Sequence, residues 1–231
     1  MTVSEITRLL TNEYGTREWH AHHDPLSELV AVILSQNTSD SNSGRAFASL
    51  TAAFPKWEDA ESAGMEEIER AIRSGGLSQV KAARIKAILQ TIRAERGSLD
   101  LSFLGTMRID EAKSWLRRLP GVGPKTVGCV LLFALGKPVM PVDTHVYRVS
   151  KRLGIIGSGV SVERAHELLE KMVPPPDIYA FHMNMVAHGR KVCKSQRPRC
   201  PDCVLRRLCL STALFTTKYT KNTEKKSLKP S

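Results

Sequence analysis

Six residues have types and spacings that could do chemistry. Lys125 follows the run Leu119-Pro120-Gly121-Val122-Gly123-Pro124, and Asp143 stands in Pro141-Val142-Asp143-Thr144-His145. A partly unprotonated lysine amine can attack an electrophilic carbon, expel a leaving group and stay attached as a Schiff base. A nearby carboxylate can accept the amine's proton, or stabilise positive charge that develops at that carbon as the bond to the leaving group lengthens. The remaining four are Cys193, Cys200, Cys203 and Cys209, crowded near the end of the chain. Four thiolates on one short loop can hold either a tetrahedral zinc ion or an iron-sulfur cubane, and bond chemistry alone does not choose.

Such residues act only if stiff elements aim them. Lys125 lies between an amphipathic segment, Glu111 to Arg118, and an apolar one, Val127 to Leu135. The pattern predicts helix, tight hairpin, helix. Gly121 and Gly123 permit positive φ and close backbone approach, and Pro124 suits a first helical position, where its missing N–H would have gone unsatisfied anyway. Backbone amides of such a hairpin favour an anion, so a phosphate can dock there without sequence preference. Asp143-Thr144 precedes the apolar-periodic Val146 and Val149, so Asp143 is also a candidate N-cap, a role compatible with chemistry. Cys129 falls on the apolar face after the hairpin and reads as a small buried hydrophobe.

Elsewhere apolar residues recur at helical spacing, as in Leu26, Leu29, Val30, Ile33 and Leu34, or Ile85, Ile88, Leu89 and Ile92. No alternation long enough for a sheet occurs, and short Gly, Pro and Ser turns separate the periodic segments. The expected fold class is all-α. With 42% hydrophobic residues among 231, global disorder is excluded. No stretch approaches the roughly 18 apolar residues of a membrane span, and Glu5 and Arg8 interrupt the N-terminal apolar positions that a secretory signal would need. A cytoplasmic, nucleoid-associated protein is expected. A net charge of +11 favours a polyanionic partner, nucleic acid being the commonest.

The two central blocks, Leu119 to Lys125 and Pro141 to Val149, resemble in order and spacing the helix-hairpin-helix DNA glycosylase superfamily, specifically its endonuclease III branch. The resemblance runs from about Leu26 to Cys209. It implies that Lys125 is the nucleophile and Asp143 its partner, and that the enzyme both releases the base and nicks the strand by β-elimination. It implies a 4Fe-4S cluster on the four cysteines, whose gaps match that branch, introduced by His188-Gly189-Arg190. It also implies DNA contacts from the hairpin residues Gly121, Val122, Gly123 and Thr126, and from His145. Leu77, after Gly76, resembles an apolar wedge that enters the base stack, although a core leucine at a helix start fits the same pattern. Gln36-Asn37 aligns with a loop whose amide fills the gap left by a flipped base. That branch usually carries glutamine where Asn37 stands, preceded by a small residue, so either amide here is a candidate.

By the same resemblance, two helical domains flank a DNA-binding cleft, with Lys125 and Asp143 facing each other. Residues 1–22 and 137–215 are expected to form a discontinuous domain with the cluster, 23–136 a bundle with the hairpin, and 216–231 a disordered basic tail. The expected partner is double-stranded DNA with a damaged base or abasic site, met by a monomer. Oxidised pyrimidines are the substrates the resemblance favours; uracil or thymine mismatches and oxidised purines are alternatives. A non-catalytic DNA-binding module and an iron-sulfur electron carrier are rival readings, neither of which needs the lysine and the aspartate.

Overall fold

A computed structural model describes residues 2–212. Every regular element among them is helical. The tail from 216 lies outside the described residues. Among the described residues no helix is long and apolar enough to cross a membrane. The chain divides into two compact units, residues 20–141 and residues 1–19 together with the chain from Val142 onward. The breaks thus fall three to five residues from the positions expected from sequence.

In the unit of residues 20–141, α2 (Pro25–Ser35) runs through the core. Its start is well specified: Pro25 occupies the first turn, and Asp24 Oδ1 accepts from the amides of Leu26 and Ser27, both at 3.0 Å. Around it fold α3 (Asp40–Ala53), α4 (Trp57–Ser62), α5 (Met65–Ala71) and the long α6 (Ser78–Arg96), which ends on Gly97 at φ +71°. Ile85, Ile88, Leu89 and Ile92 of α6 share one buried cluster with Leu26, Leu29, Val30 and Ile33 of α2. α7 (Ile109–Arg117) and α8 (Pro124–Cys129) flank the hairpin. After Cys129 the helix widens into a π-turn, Val130–Ala134, all of it buried.

Glu28 is the acid misplaced in this core. It is 6% exposed, and burial pushes its carboxyl up to about 7. The folded chain therefore holds a proton between the unfolded value of 4.5 and about 7 that the unfolded chain releases, so stability falls as pH rises through that window. Replacing Glu28 by glutamine is expected to leave stability near pH 5 almost unchanged and to raise it at pH 8 by about 2–3 kcal/mol, since each tenfold change in a protonation equilibrium is worth roughly 1.4 kcal/mol. Urea unfolding of both proteins at the two pH values checks it; equal gains at both would show that no buried ionisation is involved.

In the other unit, α1 (Val3–Tyr14) packs Ile6 and Leu10 on α11 (Ile178–Lys191). α9 (Thr144–Leu153) packs on α11 from a second direction, and α10 (Val162–Met172) precedes α11 in the chain. α9 is amphipathic, with Val146, Val149 and Leu153 buried. It ends on Gly154 at φ +81°, over which Leu210 lies so closely that a Cβ there would collide with Leu210 Cδ1.

Candidate active site and cysteine loop

The hairpin forms as its glycines suggest. Val122 donates to Leu119 O at 3.2 Å and tucks its side chain into the core, while Gly121 turns the chain at φ +73°. A Cβ at Gly121 would collide with Arg84 Nε, so glycine is needed here both for the turn and to let the α6 arginine pass over it. Gly123 is the N-cap and Pro124 the first residue of α8, whose ladder begins with Val127 donating to Gly123 O at 3.0 Å. Lys125 is therefore the second residue of α8 and half-buried; Thr126 beside it is buried. One turn later, Gly128 meets Pro141 backbone to backbone: a Cβ would stand 3.0 Å from Pro141 Cα. The lysine helix is thus pressed against the end of the same unit at Pro141.

Asp143 belongs to the second unit, where it caps α9. Its Oδ1 accepts from the amide of Val146 at 2.7 Å, which holds the carboxylate at a defined angle and leaves it half-buried. His145 lies against α11, where Gly189 leaves no room for a side chain, and its Nδ1 is 3.1 Å from Arg148 Nη2. Burial holds the His145 pKa below its usual value, against the pull of the Asp143 charge.

All four clustered cysteines line one cavity, together with Val149, Arg152, Leu153, His188, Val192 and Pro198. The loop carrying them is wrapped onto α9 by two arginines one turn apart. Arg148 donates from Nε to Cys193 O at 3.0 Å and from Nη2 to Gly189 O at 2.9 Å. Arg152 donates to Lys194 O at 2.6 Å, to Ser195 O at 2.9 Å and to Cys193 Sγ at 3.4 Å. The end of the loop returns to the same helix, with Cys209 Sγ donating to Arg152 O at 3.4 Å. Behind Cys203 stands the buried His188, its Nε2 3.6 Å from Sγ and its Nδ1 3.0 Å from the Tyr14 hydroxyl. Burial lowers His188 to about 4, so the imidazole is neutral, and raises the Cys203 thiol to about 11. A bound metal deprotonates such a thiol outright.

The donor set suits a metal centre held by sulfur. Four sulfurs and an arginine surround one partly apolar cavity. The guanidinium of Arg152 beside Cys193 Sγ suits sulfurs that carry negative charge.

The remaining candidates occupy the first unit. Gln36 caps the end of α2 and is half-buried; its Nε2 is 3.5 Å from Thr126 Oγ1, and its Oε1 accepts from Arg84 Nη1 at 2.5 Å. Asn37 is exposed with φ +54°. Leu77 is 57% exposed with φ +50°, at the N-cap of α6. These are two of only three non-glycine residues with positive φ among the described residues. Lys81, 2% exposed, donates from Nζ to Leu34 O and to Gly75 O, each at 2.8 Å, and so fastens the end of α2 to the turn before Leu77. Sequence inspection missed Lys81, Arg84, Arg148 and Arg152. The available signals were a lysine on the apolar face of α6 and two arginines four apart on the helix that Asp143 caps.

With this geometry in hand, comparison with known proteins is informative. Residues 30–175 match the HhH-GPD superfamily of base excision DNA repair proteins. A candidate DNA glycosylase of Arabidopsis thaliana is 44% identical over 170 residues, 74% of this chain and 58% of that protein, so the chain spans less than two thirds of that relative's length. Endonuclease III of Thermotoga maritima is 31% identical over 90% of this chain and 92% of its own. A solved endonuclease III, trapped as a covalent intermediate with DNA, superposes with a TM-score of 0.79 at 30% identity, covering 94% of this chain and 99% of that one. The chain belongs to the HhH-GPD superfamily of base excision DNA repair proteins. Within it, the chain is an enzyme of the DNA glycosylase class.

Proposed function

We propose that the protein is a bifunctional DNA glycosylase and abasic-site lyase that acts on oxidised pyrimidines in duplex DNA. The observation that carries the reading is a lysine at the second position of α8, immediately behind the hairpin, in a chain whose Asp143 is oriented as a helix cap. Lys125 Nζ attacks C1′; the glycosidic bond breaks, and its electron pair leaves with the base. Asp143 supplies the carboxylate that stabilises positive charge on the sugar and takes up the amine's proton. The sugar opens to an imine between Nζ and C1′. Loss of a C2′ proton then expels the 3′ phosphate oxygen and nicks the strand.

The hairpin residues Gly121, Val122 and Gly123, with Thr126, are read as the phosphate grip, and His145 as a further contact. Leu77 and one of the two neighbouring amides, Gln36 or Asn37, are read as the parts that enter the duplex. Extruding a nucleotide costs a few kcal/mol, and something must fill the vacancy. The exposure and left-handed backbone of Leu77 support the wedge reading over a core leucine, since strain of this kind persists where function uses it. Leu77→Ala is expected to slow base release from a paired lesion about tenfold, the factor carried by about 1.4 kcal/mol of lost stacking, and to leave release from a single-stranded lesion unchanged. Equal losses on both substrates would mark Leu77 as structural.

Cys193, Cys200, Cys203 and Cys209 are read as the ligands of a 4Fe-4S cluster. When bound, it cross-links the loop and fixes the exposed Lys194, Arg197, Arg199, Arg206 and Arg207 as a basic surface facing phosphates.

The substrate is tested by single-turnover base release and nicking on duplexes that carry thymine glycol, dihydrouracil, uracil, thymine opposite guanine, or oxidised guanine. Release coupled to nicking on the first two is expected. Release confined to mismatches or oxidised guanine would overturn the substrate assignment, and release without nicking would overturn the lyase.

A further inference from the structure

The amides of Gln36 and Asn37 are adjacent in sequence but face different surroundings. Gln36 lies between two protein groups, Arg84 and Thr126; Asn37 is exposed on a strained backbone. A guanidinium has donors only, so the Gln36 atom that faces Arg84 is its oxygen whichever way the amide is drawn. The NH₂ must then turn toward the Thr126 hydroxyl, at 3.5 Å. Arg84 is itself fixed. Its side chain crosses the hairpin at Gly121, where only a glycine leaves space, and it rises from α6 one turn after Lys81, whose buried ammonium ties Leu34 O to Gly75 O. The loop end and α6 are thereby joined through polar contacts, and the hairpin is packed under the Arg84 side chain.

We propose that Arg84 is a positioning residue for opposite-base preference: by committing the Gln36 amide inward, it leaves Asn37 as the one amide that reads the base opposite the lesion. This rests on the reading of the loop as the part that fills the gap in the duplex. Asn37 is the shorter amide. Its positive φ, a conformation that Asn adopts more readily than most residues, projects it from a loop end held by Lys81. Gln36 holds the hairpin register instead of reading DNA. Freeing it would bring a second, longer amide into competition.

The test uses the full chain and one lesion placed opposite each of the four bases, with single-turnover base release measured for wild type, Gln36→Ala, Asn37→Ala, Arg84→Met, Arg84→Lys and the double variant Arg84→Met/Gln36→Ala. Asn37→Ala is expected to collapse the spread of rates among opposite bases by about fivefold, as the loss of one net hydrogen bond would, whereas Gln36→Ala keeps the order of preference. Arg84→Met should reorder the preference, Arg84→Lys should retain it, and removing Gln36 in the Arg84→Met background should restore it. A collapse in Gln36→Ala with the order kept in Asn37→Ala would overturn the proposal. So would an equal slowing on all four duplexes in Arg84→Met, which is what a purely structural arginine gives. Affinities of the same variants for an abasic site opposite each base read the preference without chemistry. Failure of the glycosylase reading would appear separately, as no base release by the wild type from any duplex.

Discussion

Replacing Lys125 with alanine is expected to lower strand nicking at an abasic site by at least about 10³-fold, the scale on which loss of a nucleophile is felt, while DNA affinity changes by less than about threefold. The two effects separate because different atoms carry them. Nicking needs an amine that forms a covalent bond to C1′, and water cannot replace the imine through which the C2′ proton is made acidic. On the proposed reading, affinity comes from backbone amides of the hairpin and from a basic surface spread over the chain, to which one half-buried lysine contributes about one phosphate contact. Base release should also fall, since the same amine opens the attack. A variant that releases base at the wild-type rate without nicking would instead assign the first step to water activated by Asp143, with Lys125 acting only afterwards.

The second large effect is expected at the cysteine loop. Cys203→Ala should remove iron and sulfide together from the purified protein and lower its melting temperature by about 10 °C or more, since a structural metal centre contributes several kcal/mol to the fold it closes. Lesion cleavage should fall with it, through α9. Arg148 and Arg152 fasten the loop to that helix by hydrogen bonds to the carbonyls of Cys193, Lys194 and Ser195, and Cys209 returns to Arg152 O. The same helix carries Asp143 as its cap. A loosened loop therefore removes support from the element that aims the carboxylate. Iron analysis, thermal melting and cleavage rates measured on one preparation check this. Full cleavage activity in an iron-free, destabilised protein would show that the loop and Asp143 are mechanically independent.

The parts of this site that were legible in the sequence are those whose geometry is local. Gly-Val-Gly-Pro followed by lysine encodes a turn and a helix start within six residues, and Asp143-Thr144 before Val146 encodes a cap; both form as the residue types require. The four cysteines line one cavity because residues on one short loop need little help from the rest of the fold to come together. What was not legible depends on contacts between residues far apart in the chain. Arg84 reaches Gln36 and the hairpin, Lys81 reaches Leu34, and Arg148 and Arg152 reach the cysteine loop, at separations of 41 to 48 residues for the hydrogen bonds involved. An arginine that touches a carbonyl carries no mark of it in sequence, because the carbonyl belongs to every residue alike. The exposure of Leu77 was likewise undecidable from pattern. It sits on a left-handed backbone at the start of α6, which no periodicity in the sequence marks. The N-terminal domain break was displaced by a few residues because His22, next to it, is held by the bundle: its amide donates to Phe133 O and its ring stacks on Phe133.

The most direct test of the central claim is borohydride trapping on a duplex with a single abasic site, followed by proteolysis and mass mapping of the adduct. A lysine Schiff base predicts a stable cross-link that carries the sugar on Lys125 and is absent from Lys125→Ala. A cross-link on another amine, or none at all from a protein that still binds the duplex, would contradict the lyase mechanism and leave a glycosylase that only releases the base.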